Sequence, residues 1–264
     1  MPRPISFELR DACVDFDGHA ACAGLDLDIG RGEMVAFVGP SGAGKTTALR
    51  LLNQTVRPKS GIVRADGVDL ATLSDASLRA LRARIGVIPQ DLGLVPNLRV
   101  SQNVLAGRLG RQGTLRSLGA ILFPPRAQLE RVLALLDRLG VGEKLYHRVD
   151  SLSGGEMQRV AIARALYQEA GALLADEPLS ALDPARSRET IQLLVTLARE
   201  HELTLVLSMH DIALAREFVP RLVGLRDGRV LFDDRTEVIA EERYGDLYRL
   251  EGLTDSAGAS RRGG

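Results

Sequence analysis

The chain has 264 residues, of which 45% are hydrophobic and 26% charged, and its 34 basic residues equal its 34 acidic residues in number. This composition is typical of a globular chain and excludes the disordered and fibrous classes, while the lack of a basic excess argues against a nucleic-acid partner. No apolar run approaches the roughly 18 residues that would cross a bilayer, and the N-terminus has no apolar stretch of signal-peptide length. We therefore expect a protein of the cytoplasm.

The N-terminal residues alternate as half-solvated strands do. Ile5, Phe7 and Leu9 share one face of an extended segment, and residues 25–29 alternate Leu or Ile with Asp. Residues 34–39, MVAFVG, are apolar at nearly every position, which is typical of a strand buried on both faces of a parallel sheet. The pattern predicts antiparallel strands first and then a parallel core.

Three later runs share this buried character, with helical patterns between them. They lie at residues 85–90, 172–177 and 204–210. Alternating strands and helices predict right-handed crossovers and a parallel sheet covered on both sides. Two Asp-Gly pairs between short apolar runs, Asp66-Gly67 and Asp227-Gly228, predict hairpin turns.

One long segment interrupts this alternation. Residues 91–158 are rich in Leu, Arg and Gly and contain no convincing buried strand, so we predict a mostly helical inserted subdomain. The α/β core would comprise residues 1–90 and 159–253, which makes one domain with the insertion. The small, polar residues 254–264 are expected to form a frayed tail.

A glycine-rich segment directly follows the first buried strand. Residues 39–46, GPSGAGKT, match the phosphate-loop pattern G-x-x-x-x-G-K-[ST], and a helical pattern follows them. Glycines let successive N–H groups point at phosphate oxygens beside the positive end of a helix dipole. Lys45 would add charge at the β- and γ-phosphates, and Thr46 would offer a hydroxyl to Mg²⁺. The predicted nucleotide-binding residues here are Gly39, Pro40, Ser41, Gly42, Ala43, Gly44, Lys45, Thr46 and Thr47.

Polar side chains follow three of the apolar runs. Asp176 and Glu177 end one run, Gln90 ends another and His210 ends a third. Because ligands bind at the carboxyl ends of parallel strands, we expect these side chains to meet the phosphate loop at one edge of the sheet. Asp176 would hold Mg²⁺, directly or through water, and Glu177 would polarise the attacking water. We predict that the catalytic residues are Glu177, His210 and Gln90.

The segment LSGGE at residues 152–156 resembles the signature motif of ATP-binding cassette (ABC) ATPases. Six motifs follow the family's order: the phosphate loop, Gln90, the signature, the acidic strand, residues 180–183 (SALD) and His210. The resemblance covers about residues 5–253. In one departure from the family's pattern, the signature ends in Glu where Gln is common.

The resemblance implies a phosphate-loop NTPase fold with an N-terminal antiparallel β subdomain and an inserted α-helical subdomain, binding ATP and Mg²⁺. It places Phe16 where the family stacks an aromatic ring on adenine. It also implies that Gln90 takes part in the magnesium site, together with Thr46 and Asp176. Two copies of the chain would close head to tail around two ATP molecules. The other residues that the resemblance predicts to bind nucleotide are Ser153, Gly154, Gly155 and Asp183.

Three flanking stretches, at residues 94–110, 145–168 and 218–233, resemble the ATPase subunit of phosphonate importers more than other importer ATPases. The family then implies the energy-coupling subunit of a binding-protein-dependent importer. Its partners would be transmembrane permease subunits and, indirectly, a periplasmic or lipid-anchored binding protein. The chain would lie peripherally at the cytoplasmic face of the inner membrane.

Other functions stay open at this point. One is import of another solute, such as phosphate, phosphite, methionine or a polar amino acid, and a second is a soluble ABC ATPase without a transport role. Such soluble proteins usually carry two cassettes or a long coiled coil, whereas this chain has one phosphate loop and no long heptad run. A GTPase would need an Asn-Lys-x-Asp base reader, and none of the three lysines follows Asn.

Overall fold

The structure is a computed structural model, and it describes residues 3–111, 119, 121, 123–179 and 183–248. Within these residues ten strands form two sheets, one of four strands and one of six. The predicted tail lies outside the described residues.

The smaller sheet is antiparallel and contains the first two strands. Its members are β1 (Phe7–Phe16), β2 (His19–Ile29), β4 (Ser60–Ala65) and β5 (Val68–Asp69). Their order is β2-β1-β4-β5, and Phe7 pairs with Ile29 on one side and Ala65 on the other. Asp66 and Gly67, both at positive φ, make the hairpin between β4 and β5. The predicted antiparallel β subdomain is confirmed.

The larger sheet forms the core. Its strands are β3 (Met34–Val38), β6 (Ile85–Ile88), β7 (Ala172–Asp176), β8 (Thr204–Met209), β9 (Arg221–Arg226) and β10 (Arg229–Arg235). The order is β10-β9-β3-β8-β7-β6, and every neighbouring pair is parallel except β9 and β10. The two antiparallel strands are joined by the predicted hairpin at Asp227-Gly228. The apolar runs of the sequence therefore form buried parallel strands, as predicted.

The helices lie in the connections between the strands of the larger sheet and after its last strand. They are α1 (Lys45–Leu52), α2 (Asp75–Arg82), α3 (Val100–Leu105), α4 (Arg126–Arg138), α5 (Gly154–Tyr167), α6 (Pro184–Glu200), α7 (Ile212–Phe218) and α8 (Glu241–Tyr248). Short 3-10 turns lie at Leu70–Thr72, Ala106–Arg111, Gly142–Lys144, Val149–Ser151 and Thr236–Val238. In the part of the chain that the structure describes, no helix is both long and apolar enough to span a membrane.

Two apolar cores hold these layers together. One fills the space between the two sheets and α1, with Phe37 and Leu51 fully buried. The other joins the opposite face of the larger sheet to the inserted helices, where Val104 of α3, Val132 of α4 and Val160 of α5 have no exposed surface. This second core ties the insertion to the strand ends that carry the site.

The described residues of the predicted insertion contain helices and short 3-10 turns, with no strand. Helix α5 runs from Gly154 to Tyr167, so the predicted boundary at residue 158 falls inside a helix. The division into core and insertion stays a prediction.

Candidate nucleotide-binding site

The phosphate loop connects β3 to α1. Gly44 has a φ of 97°, and a Cβ there would lie 2.4 Å from the carbonyl oxygen of Ala21. A Cβ at Gly39 would lie 2.1 Å from the carbonyl oxygen of Leu225, so only glycine fits either position. No side chain caps the N-terminus of α1. Its first amides are therefore left to an external acceptor, which is the arrangement that binds phosphate.

Lys45 is held inside its own loop. Its Nζ donates to the carbonyl oxygens of Gly39, at 2.8 Å, and Pro40, at 2.9 Å, and lies 3.3 Å from Nδ1 of His210. Only 4% of the residue is exposed. Burial lowers the pKa of Lys45, and the charges of Glu177 and Asp176 act against that shift. The amino group is therefore fixed among polar partners at the mouth of the loop.

The Asp176 carboxylate accepts hydrogen bonds from two hydroxyl groups. Thr46 Oγ1 donates to its Oδ1 over 2.9 Å, and Ser208 Oγ donates to the same oxygen over 2.6 Å. Carboxylate and hydroxyl oxygens are the ligands that Mg²⁺ prefers. The residues present therefore fit a magnesium ion beside the phosphate loop.

Glu177 follows β7 with a left-handed backbone, at a φ of 46°. Left-handed backbone costs a non-glycine residue roughly 1–2 kcal/mol, and here the Glu177 N–H donates to Ser208 Oγ over 2.8 Å. Gln90 Nε2 donates to Glu177 Oε2 over 3.2 Å, and His210 Nε2 bonds to Oε1. The carboxylate is therefore held from both sides, and its role as the base that accepts a proton from water stays a prediction.

One cavity of about 380 Å³ collects most of the predicted residues. Gln90 reaches it from two residues beyond β6, whereas His210 follows β8 directly. The lining residues are Ala21, Ser41, Gly42, Ala43, Gly44, Lys45, Thr46, Thr47, Gln90, Glu177 and His210. The convergence at one sheet edge that the sequence predicted is thus present.

Other predicted site residues lie apart from this cavity. Phe16 ends β1 with 47% of its surface exposed and is not part of the lining. Ser153 caps α5, so Gly154 and Gly155 form that helix's first turn. Asp183 caps α6, and its Oδ1 accepts from the N–H of Arg186 over 3.1 Å. The roles of these residues in nucleotide binding stay predictions. Residues 180–182 lie outside the part of the chain that the structure describes.

The sequence of this chain matches the family model described as ABC transporter over residues 22–180. Over 95% of its own length, this chain is 47% identical to the phosphonates import ATP-binding protein PhnC of Anaeromyxobacter dehalogenans. The matched region spans only 50% of the length of that relative. The chain is 45% identical to phosphonates import ATP-binding protein PhnC 1 of Pseudomonas syringae pv. syringae, over 94% of this chain and 92% of the relative. This chain belongs to the ABC transporter family.

Solved ABC structures agree with that assignment. The dimeric cassette MJ0796 superposes with a TM-score of 0.76 at 31% identity, over 87% of this chain and 98% of its own. CbiO1 of Clostridium perfringens superposes with a TM-score of 0.76 at 28% identity, over 90% of this chain and 92% of its own. The ABC ATPase fold and the resemblance to the phosphonate importer ATPase, both predicted from the sequence, are confirmed.

Ser208 is a site residue that the sequence analysis missed. It bridges the Asp176 carboxylate and the Glu177 N–H while fully buried on β8. The run TLVLSM was interpreted only as an apolar strand. A single hydroxyl near the carboxyl end of such a strand, two residues before His210, is the signal that could have pointed to it.

A lysine lies beside the signature segment. Lys144 Nζ is 3.2 Å from Oε1 of Glu156. The hydrogen bond from the Ser153 backbone lowers the pKa of Glu156, and Lys144 lowers it further. The unusual Glu of the signature therefore has a cationic partner, which no motif in the sequence indicated.

Replacing Ser208 by Ala is expected to slow ATP hydrolysis with little loss of ATP binding. The variant would leave the Glu177 N–H without its acceptor and the Asp176 carboxylate without the hydroxyl of Ser208. We expect kcat to fall roughly ten-fold or more, because small displacements of a catalytic group have large effects on rate. Steady-state kinetics at varied ATP concentration would measure kcat and KM separately.

Thr204→Val is the matched control for that experiment. Thr204 is an equally buried hydroxyl at the other end of β8, which donates to the Ile5 carbonyl oxygen over 2.6 Å and accepts from the Gly32 N–H over 2.9 Å. Its loss should lower the melting temperature but leave kcat unchanged. Equal rates for Ser208→Ala and the wild type would contradict a role in holding Glu177.

Proposed function

We propose that this chain is the ATP-hydrolysing, energy-coupling subunit of a binding-protein-dependent ABC importer for phosphonates. One observation carries the ATPase part: the phosphate loop, Glu177 and His210 meet at one cavity, where the His210 ring lies within hydrogen-bond range of Lys45 on one side and bonds to Glu177 on the other. The names of the relatives, phosphonates import ATP-binding proteins, support the cargo.

The chain's own residues divide the work of hydrolysis. Lys45 and the free amides of α1 bind the phosphates, and Glu177 accepts the proton of the attacking water at a carboxylate oxygen. His210 orients that carboxylate through its Nε2. Thr46, Asp176 and Gln90 would hold Mg²⁺, which when bound neutralises charge on the phosphate oxygens.

We propose that the working unit is a homodimer. The signature turn at Ser153, Gly154 and Gly155 lies outside the described cavity, yet it begins α5 and so presents a second set of helix N-terminal amides. A second copy, facing head to tail, would bring this turn and Asp183 to the ATP held by the phosphate loop. The relative MJ0796 was solved as a dimer, and also in a dimeric post-hydrolysis state with ADP and Pi, which superposes with a TM-score of 0.69.

We propose that the permease subunits dock at a groove beside the site. It has a volume of about 720 Å³ and runs from the end of α1, at Arg50 and Asn53, to Pro89, Gln90 and Asp91 after β6. Because Gln90 also contacts Glu177, a permease segment seated in the groove would sense the state of the site. We propose that the chain lies peripherally at the cytoplasmic face of the inner membrane, with the binding protein as an indirect partner and without a nucleic-acid partner.

The test is purification of the chain from its native membrane with whatever permease and binding protein accompany it. In proteoliposomes, the binding protein loaded with methylphosphonate should stimulate ATP hydrolysis, while phosphate, methionine or polar amino acids should not. A complex containing Lys45→Ala serves as the hydrolysis-deficient control. Stimulation by another solute would overturn the cargo alone, and an exporter-type partner would overturn import.

A further inference from the structure

The C-terminal helix α8 ends against the catalytic edge of the sheet. The hydroxyl of Tyr248, its last residue, donates to the carbonyl oxygen of His210 over 3.2 Å. Burial raises the pKa of Tyr248, the charge of Asp211 raises it further, and a hydrogen bond from the Gly39 backbone opposes both. The hydroxyl therefore stays protonated and able to donate at neutral pH, between the start of the phosphate loop and His210.

Helix α8 is itself anchored to the rest of the fold, so its last residue can hold the main chain of His210 in place. Arg226 Nη1 donates to the carbonyl oxygen of Asp246 over 2.6 Å, and Arg216 pairs with Glu241 at 2.6 Å. The ring of Tyr244 meets that of Phe232 edge-on, with 5.7 Å between centroids. These contacts tie the helix to β9, β10 and α7, so the position of the Tyr248 hydroxyl follows from the packed core.

His210 needs such a support because its strand ends just before it. Strand β8 stops at Met209, and the imidazole must then lie between Lys45, 3.3 Å from Nδ1, and Glu177, bonded to Nε2. A shift of the His210 main chain would move the ring away from both partners at once. The hydroxyl of Tyr248 contacts that main chain and leaves the ring free.

We propose that Tyr248 is a positioning residue for ATP hydrolysis, which holds the main chain of His210 so that its imidazole stays between Lys45 and Glu177. The inference rests on the proposed function, since it concerns the same reaction. It assigns to the C-terminal helix a part in setting the hydrolysis rate, although that helix supplies no residue to the lining of the cavity.

Tyr248→Phe tests this, with Tyr244→Phe as the matched control. Tyr244 lies on the same helix, and its buried hydroxyl has no hydrogen-bond partner among the described residues, so its removal should leave kcat unchanged. Tyr248→Phe should lower kcat roughly three- to ten-fold, with KM for ATP within about two-fold, because only the geometry of the catalytic group changes. Melting temperatures should stay close to that of the wild type.

A second readout separates positioning from general stability. With ¹⁵N-labelled histidine, the spectrum should resolve the chain's four imidazoles, and Tyr248→Phe should shift the His210 signals alone, while Tyr244→Phe shifts none. An unchanged kcat, unchanged His210 signals, or equal effects of the two variants would overturn the inference. Wild-type protein that fails to hydrolyse ATP would instead overturn the proposed function.

Discussion

Glu177→Gln is expected to bind ATP almost as the wild type does and to hydrolyse it at least about 100-fold more slowly, the lower end of what general bases contribute. Gln keeps the shape of the side chain and can still bond to Gln90 and His210, but its amide cannot accept the proton of the attacking water. Phosphate release would measure turnover, and a fluorescent ATP analogue would measure binding.

The same variant tests the dimer. If hydrolysis opens the paired copies, then a chain that binds ATP without hydrolysing it should accumulate as a dimer, visible by sedimentation with ATP and absent with ADP. Glu130→Gln is the control, because it neutralises an exposed carboxylate of α4 that pairs only with nearby Arg126 among the contacts described. Normal turnover in Glu177→Gln, or a monomer in ATP, would contradict the proposed function.

The parallel core and the phosphate loop were predictable because they depend on local patterns. Strand β3 is apolar at every position, since both of its faces are covered, and the loop after it needs glycine where Gly39 and Gly44 approach other backbone. The carboxyl ends of parallel strands then had to meet. Residues as far apart in the chain as Gln90 and His210 could therefore be assigned to one edge of the sheet from the sequence alone.

The supporting contacts could not be predicted in this way. Ser208 points at Asp176 because β7 and β8 pair in one particular register, and the apolar pattern around it carries no trace of that register. Tyr248 reaches His210 only because α8 packs back across β9 and β10. Such contacts depend on tertiary packing between distant elements, whereas motifs record only neighbours in sequence.

Lys45→Ala is expected to bind ATP roughly 100-fold more weakly, a loss of about 2.7 kcal/mol in binding free energy. Removing a charged hydrogen-bond partner from a buried contact has an effect of this size. Burial lowers the pKa of Lys45, so phosphates entering the cavity would favour its charged form and strengthen the contact. Titration with a fluorescent ATP analogue measures the loss. Lys59→Ala is the matched control, because Lys59 is largely exposed and lies 3.7 Å from Asp15, away from the cavity lining.

Loss of affinity could also follow from a collapsed loop, because Lys45 ties together the carbonyls of Gly39 and Pro40. Lys45→Met distinguishes the two causes, since it keeps the buried stem and removes only the charge and the donors. A charge effect requires both variants to lose affinity for ATP far more than for AMP, whose single phosphate lies nearer the adenosine. Equal losses for the two nucleotides would assign the effect to loop structure, and unchanged ATP affinity would remove the phosphate-loop claim itself.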